Sequence, residues 1–213
     1  TSESGERMEE SYTFSFRTVE AYTGEDLHFY LSDAFTETFI PGDAIAVGVY
    51  ASDIFTTADV SLYSVANAQD YLALAHEKCD ALHPVLGESR DVQVSTDGLT
   101  RLDTFTAEIV TLANAWYGPA YVMLPDLPEG WYLAEIRVYD SAGNAYTVQK
   151  LIQVSTLSVY YEALNGDALV WLNDTVTGQS INGAEVTLSL DGATSSSKTD
   201  AGGVASLSYK ESD

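Results

Sequence analysis

The sequence predicts an all-β protein made of two consecutive β-sandwiches, the first of which contains one helical insertion. Three observations support this class. Apolar residues alternate with polar ones over most of the chain, as expected for strands with one buried face. Turn sequences rich in Gly, Pro, Asn and Asp separate many of these runs at spacings of about 8 to 12 residues, which is typical of sandwiches. Residues 67–86 instead repeat their apolar positions every three or four residues, which predicts a helix.

The first predicted domain covers residues 12–155. Residues 1–11 precede it and are predicted to be a disordered tail, because they show no apolar periodicity. A hairpin is predicted around the turn at residues 141–144, where Gly143 supplies positive φ. The alternating runs of this domain, which we predict to be strands, are 12–16, 27–31, 45–49, 131–139 and 146–154.

The predicted helix at 67–86 has candidate boundaries on both sides. Asn67 or Asp70 could cap its first turn, and Pro84 is expected to end it. One helix cannot cover both faces of a parallel sheet. We therefore expect an insertion or crossover on a sandwich rather than a βαβ unit.

The second predicted domain covers residues 156–213. Its predicted strands are shorter and lie at 157–164, 168–173, 184–190 and 203–209. Only about 57 residues are available here, whereas a sandwich usually needs about 100. We therefore expect this second sandwich to be truncated.

Charge and composition exclude several partner classes. The formal net charge is −23, so nucleic acids and anionic lipid surfaces would be repelled. No apolar run is long enough to cross a bilayer, so membrane insertion is not expected. The chain has one cysteine, which excludes a disulfide within it.

The helix contains a weak candidate for a metal site. His76, Cys79 and His83 share one face at helical spacing and could offer three ligands. The alternative is that Cys79 packs as a small buried hydrophobe between the two histidines. His76 and Glu77 also begin like the zinc motif HExxH, but Asp80 stands where the second histidine is needed. We predict no metal ligand and no cofactor.

Nothing in the sequence indicates catalysis. A serine hydrolase triad would have to use His28, His76 or His83, and no serine lies in a Gly-x-Ser-x-Gly elbow. Carboxylates are too numerous for any pair to stand out as an acid and base. The loop from Asp140 to Asn144 could bind a cation weakly, but turn chemistry favours a hairpin. We predict no catalytic residues and do not expect an enzyme.

Aromatic residues suggest one interaction surface. Trp116 and Tyr117 precede a Gly-Pro pair and are the best candidates for an exposed patch. A carbohydrate-binding module would present such rings as a flat platform. Side chains alternate between the two faces of a strand, so we expect each adjacent pair at 131–132 and 160–161 to send one ring inward.

Several motifs resemble bacterial alpha-2-macroglobulin-like proteins. In that family a GxY strand closes one macroglobulin domain, a short link follows, and the next domain opens on an "lvW" strand. The matching segments are LPEGWYL at 127–133, QVSTL at 153–157, DALVWLND at 167–174, TGQSINGAEV at 177–186 and TDAGGVA at 199–205. The last two motifs encode hairpin turns and also occur in other bacterial Ig-like surface domains.

The resemblance implies a fold and a role. It implies immunoglobulin-like, macroglobulin-type sandwiches acting as non-catalytic structural domains of a secreted, periplasmic or surface-attached protease trap. The expected partners are other domains of the same chain and, through the full-length protein, proteases. The family's thioester motif is not matched, because Cys79 lies in the sequence Glu-Lys-Cys-Asp. The alternative is a set of Ig-like domains from a bacterial cell-surface adhesin or stalk.

Overall fold

A computed structural model describes residues 27–80, 93–111, 119–164, 166–190 and 193–209. The predicted tail, the predicted strand at 12–16 and the last residues of the predicted helix lie outside these ranges. Within them the chain is mostly β with one short helix, which confirms the predicted fold class. The helix is α1 (Ala68–Asp80); the strands are β1 (Phe29–Leu31), β2 (Thr36–Phe39), β3 (Ala46–Ala51), β4 (Thr57–Val65), β5 (Thr100–Thr111), β6 (Ala120–Met123), β7 (Gly130–Tyr139), β8 (Ala145–Val154), β9 (Leu157–Leu164), β10 (Asp167–Asp174), β11 (Glu185–Leu190), β12 (Ala193–Lys198) and β13 (Val204–Ser208).

The first eight strands form one bent sheet in the order β1-β3-β6-β5-β4-β7-β8-β2. Neighbouring strands are antiparallel, except that β2 runs parallel to β8. Strand β5 joins the two halves, because its first part pairs with β4 and its last three residues pair with β6. This bend lets the β1-β3-β6 half pack against the β4-β7-β8 half.

The main core lies between these two halves. Val47 and Val122 from one half and Val60, Ile136 and Ile152 from the other are all fully buried in the same cluster. The alternation seen in the sequence places these residues on the inner faces. The LPEGWYL motif adds a polar anchor to the same core, since the buried Tyr132 hydroxyl donates to the Pro128 carbonyl at 2.8 Å.

Helix α1 covers part of the outer face of the β4-β7-β8 half. Tyr71 on the helix packs in a second cluster with Val65, Val94, Leu133 and Leu151. Strand β7 is therefore buried on both faces along its central part. The helix lies between β4 and β5, which are antiparallel neighbours, so it is the predicted insertion and not part of a βαβ unit.

The start of α1 agrees with the predicted capping. The Asn67 Oδ1 accepts hydrogen bonds from the Gln69 and Asp70 backbone N–H groups at 2.9 and 3.0 Å. Asn67 is thus the N-cap, and the Asp70 carboxylate accepts from the Asn67 side-chain amide at 2.9 Å. Pro84, the predicted end, lies outside the described residues.

A buried lysine ties the two halves of the sheet together. Lys150 on β8 is 0% exposed and lies on the same side of the strand as Ile152. Its Nζ donates to an Asp33 carboxylate oxygen and to the Ala34 carbonyl, each at 2.6 Å. The Glu37 Oε2 lies 2.7 Å away as an ion pair without hydrogen-bond alignment. These contacts hold the crossover from β1 to β2 against β8.

The remaining strands form a three-stranded sheet, β13-β10-β9, and the β11-β12 hairpin. Strand β12 contacts β13.

Thr199 is buried beside the hairpin, where its hydroxyl donates to the Ile181 carbonyl at 2.6 Å and accepts from the Ala184 N–H at 2.9 Å. Gly203 has φ +78°, and a Cβ there would collide with the Leu172 carbonyl, so glycine is required in the TDAGGVA turn. The domain boundary near 155 stays a prediction.

Candidate interaction surface

The predicted surface residues Trp116 and Tyr117 lie outside the described residues. The predicted helical face is only partly described. His76 is exposed, Cys79 is described by its backbone alone, and His83 lies outside the described ranges. Among the described residues, no group of three or more His, Cys, Asp or Glu side chains is arranged to hold a metal ion.

One histidine does lie next to a serine. The Ser52 Oγ is 3.1 Å from the His28 Nδ1 and also accepts the His28 backbone N–H at 3.0 Å. A nucleophilic serine needs a base that is itself oriented by a third group. Here the Ser52 hydroxyl instead accepts the backbone N–H of His28, the same residue whose imidazole it contacts. This contact joins β1 to the end of β3 and is structural.

A shallow polar groove of about 350 Å³ lies on the outer face of β4, β5 and β7. Each of its charged groups has a partner within the groove. Arg137 contacts Glu135 at 2.9 Å, and Asp59 accepts from the Thr106 hydroxyl at 2.9 Å. A hydrogen bond with Tyr139 raises the pKa of Arg137 above its ordinary value. The groove therefore holds a fixed cation in a satisfied network rather than a free acid and base.

The acidic turns also bind their own backbone. The Asp140 carboxylate accepts from the Asn144 side chain and from the Ala142 and Asn144 N–H groups at 2.8 to 2.9 Å. The Asn144 side-chain hydrogen bond is the main cause that lowers the pKa of Asp140. Asp174 has its pKa lowered in the same way, first by the Thr177 backbone N–H. Both residues close turns, as turn chemistry predicts.

The most unusual surface is on β9. Tyr160 and Tyr161 are 63% and 71% exposed, so the expectation that one ring of this pair points into a core is wrong. The rings do lie on opposite faces, but the described side chains on both faces of β9 are exposed to solvent. By contrast the pair at 131–132 follows the expectation, because Tyr132 is buried in the main core.

The β9 and β10 register shows which side chains share a face. On one face Val159 stands opposite Leu172, and Tyr161 stands opposite Val170. Leu172 is buried, whereas Val159 is 57% exposed, so the covered area stops before β9. On the other face Tyr160 lies opposite Trp171, and both rings are open to solvent.

The outer backbone edge of β9 has no partner strand among the described residues either. Among the described strands β9 pairs with β10 alone. The Thr175 N–H donates to the Thr156 carbonyl at 2.7 Å, so this pair is hydrogen-bonded. Antiparallel ladders alternate strictly, so Ser158 and Tyr160 also face β10, while Val159 and Tyr161 direct their N–H and C=O groups outward. We call the outward edge of β9, with Leu157, Val159 and Tyr161, the β9 edge.

The charge beside the β9 edge is acidic. Glu162 lies on β9 itself, and Asp167 and Asp174 lie at the two ends of the paired strand β10. Within the described part of the chain after Val154, the one basic residue is Lys198 at the end of β12. The sequence contained a signal for this surface, since LSVYYEAL is a strand with no Lys or Pro to protect an edge. That this strand lies at the edge of a sheet could be learned only from the folded structure.

Comparison with known proteins shows which solved structures have a similar fold. No protein-family model matches the chain, and no curated protein matches it by sequence. Two solved structures of native Escherichia coli alpha-2-macroglobulin match in three dimensions. The fragment spanning domains NIE-MG1 matches with a TM-score of 0.62 and 16% identity, over 87% of this chain and 88% of that one. The fragment spanning MG0-NIE-MG1 matches with a TM-score of 0.56 and 18% identity.

The longer fragment extends well beyond the match, since the alignment takes in 87% of this chain but 58% of the fragment. An ice-binding adhesin from an Antarctic bacterium aligns with a TM-score of 0.24, which is too low to compare the folds. Within the described ranges, no helix has both the length and the apolar character needed to cross a membrane. The two matches to the Escherichia coli domains show that the chain has their mostly β, macroglobulin-like sandwich fold.

Proposed function

We propose that this chain is a non-catalytic structural part of a macroglobulin-type protease inhibitor that acts outside the cytoplasm. One observation supports this most strongly: the match to NIE-MG1 extends over 87% of this chain and 88% of the other. Sequence motifs that resemble the same family lie at 127–133 and 167–205. Two independent lines, local motif and overall fold, thus favour the same assignment.

The packing suits a scaffold. The first eight strands enclose a core with fully buried side chains, and α1 protects part of the outer face. Lys150 holds the crossover between the two halves, so bending of one half against the other would break ion pairs. A trap that closes around a protease needs parts that keep their shape, and this sandwich would supply one.

The same contacts argue for a non-catalytic role. In the groove on β4, β5 and β7, Arg137 is held by Glu135, and Asp59 accepts from the Thr106 hydroxyl. The Ser52 hydroxyl is engaged by the His28 backbone. In this proposal the protease would be held by the assembled full-length protein. This chain would contribute contacts to neighbouring domains.

A protease-capture assay on the full-length protein tests the proposal. The protein is mixed with an active endopeptidase, and cleavage of a small peptide and of a large protein substrate are measured in parallel. A trapped protease keeps its activity on the peptide and loses it on the large substrate. If both activities persist and the protein instead binds a host surface or matrix, the adhesin alternative replaces the trap. Loss of both activities would also overturn it, since that outcome indicates active-site blockade.

A further inference from the structure

We propose that the β9 edge is a docking site for an extended, cationic segment of another polypeptide, which adds to the sheet as a further strand. This proposal goes beyond the inhibitor role and does not depend on it. It rests on three features of the described residues: an open hydrogen-bonding edge, apolar side chains beside it, and acidic surroundings.

The backbone of β9 supplies the first feature. Val159 and Tyr161 direct their N–H and C=O groups away from β10, as the Thr156 and Thr175 pair establishes. The β9 and β10 register continues over eight pairs without a bulge. The edge strands of the large sheet are short, with three residues in β1 and four in β2. Strand β9 offers eight residues and lacks the usual protection of Lys, Pro or a bulge.

The side chains supply the second feature. Leu157, Val159 and Tyr161 share one face and are 45%, 57% and 71% exposed. A strand added at this edge would place apolar side chains beside them, and the main-chain hydrogen bonds would set its register. Main-chain bonding combined with alternating side-chain contacts is the general mode of strand addition.

Charge decides which occupant fits best. The opposite face of β9 presents Tyr160 and the exposed Glu162. A Lys or Arg on the added strand could reach the carboxylate and the ring face there, while its apolar neighbours contact Val159 and Tyr161. A segment that alternates basic and apolar residues therefore matches both faces. A second copy of the chain would bring another net charge of −23 and is disfavoured.

Binding of a synthetic peptide to the whole chain tests this proposal. The probe is a capped decapeptide of alternating Lys and Val, and binding is followed by calorimetry together with amide exchange. We expect saturable one-to-one binding and slower exchange at the Val159 and Tyr161 amides. Tyr161→Pro removes an outward N–H without affecting the ladder to β10, so binding should weaken by about tenfold or more.

Further variants guard against misfolding and nonspecific attraction. Val159→Lys adds a repelling charge at the edge and should also weaken binding, whereas Val204→Lys on β13 should not. A peptide with N-methyl groups on the valine amides keeps its charge but loses the strand hydrogen bonds, so it should not bind. Equal binding of that peptide, or of a Glu-Val peptide, overturns the proposal. Self-association that Tyr161→Pro abolishes would also overturn it by making a second copy the occupant.

Discussion

Strands β8 and β9 follow one another in the chain, but their environments are opposite. Strand β8 buries both faces, and even Gln149 and Lys150 are no more than 1% exposed. Strand β9 exposes both faces, although it contains Leu, Val and two Tyr residues. Strand β8 lies between β7 and β2 and is covered on both sides, whereas β9 has a single described neighbour. Burial here follows the number of layers around a strand rather than its hydrophobicity.

The polar residues of β8 show how such burial is made possible. The Gln149 side chain donates to the Val94 carbonyl at 3.0 Å and accepts the Val94 N–H at 2.7 Å. On the opposite face of β8, Asp33 and Glu37 neutralise the charge of Lys150. Buried polar groups are tolerated when each has a partner. Both residues therefore attach separate segments of chain to the two faces of β8.

The largest contrast should come from removing apolar side chains in the two regions. Ile136→Ala leaves a cavity in the main core, and we expect it to lower the free energy of unfolding by about 2 to 5 kcal/mol. Val159→Ala on β9 is the matched control and should change it by less than about 0.5 kcal/mol. Urea unfolding of both variants measures the difference. Similar losses would mean that β9 is covered and that the comparison is wrong.

Replacing the buried lysine should have the next largest effect. Lys150→Met leaves the Asp33 and Glu37 carboxylates without their cation. Because their side chains are 48% and 36% exposed, we expect a loss of about 2 to 3 kcal/mol, below the range for a fully buried pair. Lys198→Met, at an exposed position, is the control. An unchanged urea midpoint for Lys150→Met would show that the ion pairs do not hold the crossover.

The second region should depend on hydrogen bonds more than on apolar packing. Thr199→Val leaves the Ile181 carbonyl and the Ala184 N–H without a partner, so we expect a loss of about 1 to 3 kcal/mol. Thr187→Val removes an exposed hydroxyl that contacts Ser196 at 2.9 Å and should be nearly neutral. Thermal unfolding of the two variants compares them. Equal stability would contradict a structural role for Thr199.

The smallest effect should appear only at alkaline pH. Burial raises the pKa of Tyr71 from 10.0 to about 12, so the folded state keeps a proton that the unfolded state releases. Its contribution to stability is present below pH 10 and is lost as the pH rises towards 12. The wild type should therefore lose stability relative to Tyr71→Phe across this interval. Parallel stability profiles for the two proteins between pH 9 and 12 would contradict the burial of Tyr71.

Local features were predictable from the sequence because their causes are local. The β7-β8 hairpin follows from two alternating runs around a Gly143 turn, and the start of α1 follows from the Asn67 cap. Strands β2, β5, β6 and β12 were not predicted, and β4 was not among the alternating runs. Strand β12 has the sequence ATSSSK and is held by its ladder with β11, so its own residues give little indication of a strand.

The candidate surface was predictable only in part. The sequence indicated exposed aromatics, but at Trp116 and Tyr117, and it placed one of Tyr160 and Tyr161 in a core. Alternation assigns the two rings to opposite faces, which is correct. It does not say whether either face is covered, because that depends on residues elsewhere in the chain.

The sequence by itself determined the all-β class, most strands of the hairpins and the turns between them, because periodicity and turn chemistry act over a few residues. Only the tertiary structure decided which strands are covered. Lys150 is buried because Asp33, 117 positions away, is brought to it. Tyr161 is exposed because no described layer reaches β9. Burial is a property of neighbours in space, and those neighbours are set by how the sheets pack.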